Sequence, residues 1–228
     1  MTLENDIRME RLDKTKEAAA QRNEETDWPN LKRFQEKNDG INMSSNNKIV
    51  LIGDSITEGW SINDPDFFKN NNFINRGIGG QTTPQMLIRF KQDAIHLNPK
   101  MIIVNGGTND LAENTGPSFP NMIVDNITSM AEICLKNRIA IALSSITPVY
   151  SYPWNEKVTD VPEKISLVNS LLKKYSSQNN ILFIDYYSAM VDDKKGLMSA
   201  YGVDGVHPTK EGYEVMASVL KDTITGIK

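Results

Sequence analysis

Cysteine is nearly missing from this chain. One residue, Cys134, in 228 excludes an internal disulfide framework and any cysteine-rich zinc site. Its neighbours from Met130 to Leu135 are apolar and helical in spacing, the setting of a buried structural thiol. Histidine is almost as scarce, with only His96 and His207. There is no metal-binding string of the His-Glu-x-x-His kind, and neither a metal nor a cofactor is expected. No apolar run approaches the ~20 residues of a membrane-crossing helix. No basic block stands out, and the formal net charge is −4, so nucleic acid is not an expected partner. Met1 to Asn23 is dominated by Glu, Asp, Lys and Arg and lacks a signal-peptide pattern. The expected compartment is therefore the cytoplasm, or the periplasm or exterior if an export signal has been removed. Without secretion, the glycosylation-type strings Asn42-Met43-Ser44 and Asn126-Ile127-Thr128 carry no meaning. Repeats and low-complexity tracts are absent as well.

What remains is a globular composition. Hydrophobic residues at 39% and charged residues at 24% exclude a disordered chain. The length suits one substantial domain with a small appendage. Leu3 to Arg22 reads as a charged helix with a thin apolar stripe of Leu3, Ile7, Met9 and Leu12. It is expected to lie on the main body, or to mediate self-association as a homo-oligomer contact. Trp28 and Phe34 are candidates to anchor a second short helix, and Asn38 to Asn47 reads as a polar linker. The expected division is 1–47 for the extension and linker and 48–228 for the main domain.

Within that domain, strands are expected at Ile49–Ile52, Phe73–Asn75, Met101–Val104, Ile139–Leu143 and Ile181–Ile184. They alternate with helices at Thr82–Ile95, Pro120–Asn137, Glu163–Ser177 and Lys210–Ile224. The last would bury Tyr213, Met216, Ala217 and Leu220. Alternation of this kind predicts a three-layer α/β/α fold, flavodoxin-like, with about five parallel strands and helices on both faces. Ligands then bind outside the carboxyl ends of the strands.

Four segments fall at that edge. Gly53-Asp54-Ser55-Ile56-Thr57-Glu58-Gly59-Trp60 follows the first strand, where a Ser55 hydroxyl would sit among helix N-terminal N–H groups. Ser55 and Asp54 are equally apt as plain helix caps. Asn75 to Thr83 carries Gly77, Gly79 and Gly80, which let backbone N–H groups approach a ligand or simply form a turn. Gly106 to Asp110 offers the amide of Asn109, or an Asx-type turn. Asp204-Gly205-Val206-His207-Pro208 places an acid three residues before a histidine. Asp204 can bond one ring nitrogen while the other faces a nucleophile, or the pair can occupy a surface turn.

In this order and company, the segments resemble the four blocks of the SGNH, or GDSL-type, hydrolase family. Gly53-Asp54-Ser55 matches the first block, Gly77 to Thr82 the second, Gly107 to Asp110 the third, and Asp204 to Pro208 the last. The likeness covers residues 48–228. Ile56 replaces the usual leucine, and adjacent Gly79 and Gly80 leave the choice of oxyanion glycine open by one residue. The Gly-x-Ser-x-Gly elbow of the other large hydrolase group is missing.

The resemblance implies a serine ester hydrolase. Ser55 would be the nucleophile, His207 the general base and Asp204 its orienting acid. The Ser55 and Gly80 N–H groups and the Asn109 side chain would form the oxyanion hole. Asp54 is a rival acid better suited to capping, and His96 a structural or surface histidine. Trp60, Tyr152 and Trp154 are candidate substrate contacts that can equally well pack their loops. The expected substrate is a small-molecule ester carrying a short acyl group, such as acetyl on a carbohydrate or another alcohol. A lysophospholipid or a thioester is the alternative. Two rivals lie outside this class: a flavin or phosphate binder, which leaves Asn109 and His207 unexplained, and a catalytically silent binding module, against which intact Ser55, Asn109, Asp204 and His207 argue.

Overall fold

A computed structural model describes residues 27–42 and 47–225. The expected helix from Leu3 to Arg22, and the self-association expected through it, lie outside the described residues. In chain order the elements are α1 (Gln35–Asp39), β1 (Ile49–Gly53), α2 (Ser55–Asn63), α3 (Pro65–Asn70), β2 (Phe73–Gly77) and α4 (Thr83–Asp93). After a 3-10 turn at Ile95–Leu97 come β3 (Met101–Asn105), α5 (Thr108–Leu111), α6 (Pro120–Lys136), β4 (Ala140–Ser144), α7 (Val161–Gln178), β5 (Leu182–Ile184), α8 (Tyr186–Met190) and α9 (Lys210–Thr225).

The five strands form one sheet in the order β2-β1-β3-β4-β5, every neighbouring pair parallel. Successive strand residues point to opposite faces, and the two cores divide accordingly. Val50, Ile52, Ile102 and Val104 pack with Met86 and Phe90 of α4, Ile123 and Ile127 of α6 and Ile165 and Val168 of α7. Ile49, Leu51, Met101 and Ile103 pack on the other face with Trp60, Phe67, Tyr186, Tyr213, Met216 and Leu220. This is the three-layer arrangement that the alternation implies. Strand order reverses at β1, whose neighbours are β2 and β3, so a crevice opens between the carboxyl ends of β1 and β3.

The closing helix buries Tyr213, Met216, Ala217 and Leu220, as its spacing predicts. Cys134 is fully buried on α6, and burial pushes its thiol up to about 12, so the thiolate is suppressed at neutral pH. Asn105 bonds the neighbouring strand end, donating from Nδ2 to Ser144 Oγ at 2.6 Å.

The segment before β1 is strapped to the body. Phe34 is buried, with the Arg76 guanidinium 4.7 Å above its ring, whereas Trp28 stays largely exposed. Asn38, expected to open a linker, lies in α1 instead and is fixed on both ends of its amide. Its Oδ1 accepts from Arg76 Nε and Nη2 at 2.9 and 2.7 Å, and its Nδ2 donates to Asp93 Oδ1 at 2.8 Å. Helices α3, α5 and α8 are too short to show a period in the sequence.

Candidate active site

β1 ends at Gly53, and the chain turns at once into α2. Asp54 caps that helix, its Oδ1 accepting from the Ile56 N–H at 3.0 Å. Ser55 is the first helical residue, so its N–H belongs to the opening turn, whose donors have no partner inside the helix. The loop between α8 and α9 brings His207 over this point. Ser55 Oγ lies 2.9 Å from His207 Nε2, although the two residues are 152 apart in sequence.

His207 Nδ1 lies 2.8 Å from Asp204 Oδ2, while Asp204 Oδ1 accepts the backbone N–H groups of His207 at 2.8 Å and Val206 at 3.0 Å. The carboxylate therefore shapes its loop and fixes the ring together. Partial burial pushes the Asp204 pKa up, but the N–H donors of His207 and Val206 and the imidazole outweigh it. The net value is below the ordinary one.

The second and third segments meet beside the serine. Gly79 donates its N–H to Glu58 Oε2 at 2.9 Å. Gly80 has φ +74° and open space where a Cβ would be, and no described hydrogen bond takes its N–H. Of the two adjacent glycines, Gly80 is thus the one whose N–H has no described partner. Asn109 lies in α5, which starts from Gly107. A side chain at Gly107 would meet Ile146 Cδ1 at 2.8 Å with φ at +114°. The Asn109 amide donates from Nδ2 to the Gln81 carbonyl at 3.1 Å, which leaves one of its two hydrogens.

Asp110 turns the other way. It accepts from the Thr83 N–H at 3.1 and 2.9 Å and from Thr83 Oγ1 at 2.6 Å, tying α5 to the start of α4.

The three aromatic candidates separate. Trp60 lies outside the cleft: it is 2% exposed, stacked on Phe67 at 5.0 Å and Tyr213 at 5.7 Å. Helical spacing from Ile56 carries it to the core face of α2. Tyr152 is also enclosed, its hydroxyl 3.1 Å from Thr108 Oγ1, so it pins its loop to α5 and has no face to offer. Trp154 is 46% exposed, its ring 6.3 Å from that of His207. His96 is exposed on the turn before β3.

Support beneath the site includes Arg89, which is fully buried. It donates from Nε to Gln81 Oε1 at 2.6 Å and from Nη2 to the Gly53 carbonyl at 3.0 Å, and pairs with Asp93 at 3.3 Å. One guanidinium thus braces both the turn before the serine and the glycine loop. Its signal in the sequence is a charge on the buried face of α4 between Met86 and Phe90, with an acid one turn on. No group of three or more His, Cys, Asp or Glu able to hold a metal occurs among the described residues.

A model of the GDSL-like Lipase/Acylhydrolase family matches residues 51–215. The chain belongs to that family. It is a hydrolase acting on ester bonds. A GDSL-like lipase from Bacteroides thetaiotaomicron, solved as a crystal structure, is 41% identical over 88% of this chain and 99% of that one, with a TM-score of 0.85. The platelet-activating factor acetylhydrolase IB subunit alpha2 of Rattus norvegicus is 27% identical over 77% of this chain and 75% of that protein. An uncharacterized lipoprotein of Bacillus subtilis is 35% identical over 78 residues, a span of 28% of this chain and 32% of that protein. Among the described residues no helix is long and apolar enough to cross a membrane.

Proposed function

We propose that this GDSL-like hydrolase cleaves small acyl esters through Ser55, with His207 as general base and Asp204 as the acid that orients it. The observation that carries the reading is the continuous chain Ser55 Oγ, His207 Nε2, His207 Nδ1, Asp204 Oδ2, with links of 2.9 and 2.8 Å. His207 Nε2 takes the hydroxyl proton as Oγ attacks the ester carbonyl. The tetrahedral oxyanion is held by the N–H groups of Ser55 and Gly80 and by Asn109 Nδ2. Collapse of the intermediate expels the alcohol, which receives the proton from His207. A water deprotonated by His207 then attacks the acyl-serine; the second intermediate collapses to the acid, and His207 returns the proton to the departing Ser55 Oγ. Asp204, with its lowered pKa, stays ionised and stabilises the imidazolium.

The acyl group is read as short, acetyl above all. The similarity to a protein named an acetylhydrolase supports this. The alcohol is read as a carbohydrate or a comparably polar group. A partly exposed Trp154 ring beside His207 offers the apolar stacking surface on which a sugar ring can lie.

The test is hydrolysis of p-nitrophenyl esters from acetate to palmitate by the native chain and by Ser55→Ala. Turnover falling steeply beyond butyrate and lost in Ser55→Ala is the expected result. Turnover rising toward palmitate overturns the short-acyl reading, and activity surviving in Ser55→Ala overturns the serine mechanism.

A further inference from the structure

Taking Asn109 as an oxyanion donor, as proposed above, we infer that Asn114 and Trp154 are positioning residues that hold its amide through a hydrogen-bonded relay. Trp154 Nε1–H donates to Asn114 Oδ1 at 3.0 Å, Asn114 Nδ2–H donates to Asn109 Oδ1 at 2.8 Å, and Asn109 Nδ2–H donates to the Gln81 carbonyl at 3.1 Å. The relay runs from an exposed ring beside the general base, through two amides, to the loop that carries Gly80.

The direction of each link is forced. An indole N–H can only donate, so the end of Asn114 facing Trp154 must be its oxygen. The nitrogen of Asn114 then faces Asn109 and demands an oxygen there. This leaves the nitrogen of Asn109 at the Gln81 carbonyl, on the glycine-loop side. A side-chain amide is nearly symmetric in shape, so only its partners decide which end is which. With both ends engaged, rotation about its last torsion is blocked, and the second Asn109 hydrogen keeps a fixed aim. An oxyanion donor acts by being in place before charge develops, so restraint of this kind belongs to catalysis rather than to binding.

The relay is also built on fixed ground, so its members can be cut without moving the backbone. Trp154 sits between Tyr152, locked to Thr108, and Asn155, whose Nδ2 donates to the Ala112 carbonyl at 2.9 Å. The Asn114 backbone N–H donates to the Asn109 carbonyl at 3.0 Å whatever side chain it carries.

The experiment measures kcat and KM on p-nitrophenyl acetate for Asn114→Ala, Asn114→Asp, Trp154→Phe and the double variant Trp154→Phe/Asn114→Ala, with Asn109→Ala as reference. Loss of a whole oxyanion donor costs about 10²-fold or more in kcat. Asn114→Ala should cost a fraction of that, about tenfold, with KM within about twofold. Asn114→Asp should cost more, because a carboxylate repels Asn109 Oδ1 and invites the flipped amide. Trp154→Phe keeps an aromatic ring but removes the five-membered half of the indole with its N–H, so kcat should fall about threefold. The double variant should be no slower than Asn114→Ala alone, since both cut one relay.

Unchanged kcat in Asn114→Ala beside a large loss in Asn109→Ala overturns the relay and leaves the oxyanion hole standing. Multiplying losses in the double variant also overturn it. If Asn109→Ala is itself fully active, the oxyanion reading falls and the relay falls with it. Trp154→Phe, a change at an exposed position that leaves both asparagines in place, keeps the relay testable even if an Asn114 variant proves unstable.

Discussion

Two carboxylates flank the Ser55–His207 pair, and their surroundings drive them in opposite directions. Asp204 is partly exposed. The N–H donors and the imidazole around it outweigh its partial burial and hold its pKa below the ordinary value. Asp54 is 1% exposed, with Oδ2 unpartnered among the described residues. Burial pushes it up to about 7; the Ile56 N–H opposes the shift and the Asp110 charge adds to it. A neutral carboxyl tolerates an unpartnered oxygen better than a carboxylate does. Asp54 thus serves as a helix cap, which suits Asp204 to the proposed role of acid beside His207.

Two outcomes follow at this scale. Asp204→Asn keeps the oxygen that accepts the Val206 and His207 N–H groups but leaves Nδ1 facing an amide that can present a donor. The expected loss in kcat is on the order of 10³-fold, checked by steady-state kinetics with little change in melting temperature. For Asp54 the folded pKa is raised, so above pH ~4 the unfolded chain has lost a proton that the fold still holds. Stability should therefore fall as pH rises from about 4 to about 7 and then level off, by at most about 4 kcal/mol. Asp54→Asn retains the cap and should flatten that slope in urea titrations across this window. An unchanged slope would assign the pH dependence to other groups.

Elements position the glycine loop as firmly as its own residues do. The segment from Trp28 to Asn38 reaches it at several points: Gln81 Nε2 donates to the Pro29 carbonyl at 2.7 Å, Gln85 Nε2 to the Trp28 carbonyl at 2.7 Å, and Arg33 pairs at 2.9 Å with the Glu58 that holds Gly79. Phe34 seals the centre, under the Arg76 and Arg89 guanidiniums at 4.7 and 5.9 Å. Phe34→Ala removes a buried ring and admits water to two charges. It should cost about 3 kcal/mol in urea unfolding and lower kcat as the loop loosens. A stability loss with kcat untouched would mean that the strap supports the fold alone.

The sequence made the four site segments legible because each must follow or precede a core element closely, and core elements betray themselves by apolar runs. The strap was legible only in part: Phe34 reads as an anchor, but the Trp28 and Pro29 carbonyls that Gln85 and Gln81 hold leave no trace in residue type. Asn114 was equally hidden, since an asparagine in a polar turn looks the same whether it bonds water or Asn109. Trp60 was readable in principle. Ile56 and Trp60 are one helical turn apart on α2, and that spacing points to the core rather than to a ligand.

At the scale of the molecule, Ser55 and His207, the proposed nucleophile and base, belong to regions of different rigidity. Ser55 follows β1, which is flanked on both edges by β2 and β3 and buried on both faces. His207 rides a loop whose Val203, Asp204 and Gly205 are exposed; the buried Val206 and one backbone bond, Val203 N–H to the His207 carbonyl at 2.9 Å, hold it, while the Val206 and His207 N–H groups bond only the Asp204 carboxylate. Local opening costs least where few buried contacts and few backbone bonds must break. Native-state hydrogen exchange should therefore find the β1 and β3 amides protected to the level of global unfolding. Val206 and His207 should exchange through a much smaller opening. The fold itself limits how far that loop departs, because α9 is anchored behind it: Tyr213 stacks on Trp60 and donates its hydroxyl proton to the Ile56 carbonyl at 2.9 Å, one residue from the nucleophile. Tyr213→Phe deletes that bond and keeps the stack. It should cost about 1 kcal/mol globally and speed exchange at Val206 and His207 more than at β1. Equal acceleration at all these sites would show that the loop opens only with the whole domain, and that His207 is as rigidly mounted as Ser55.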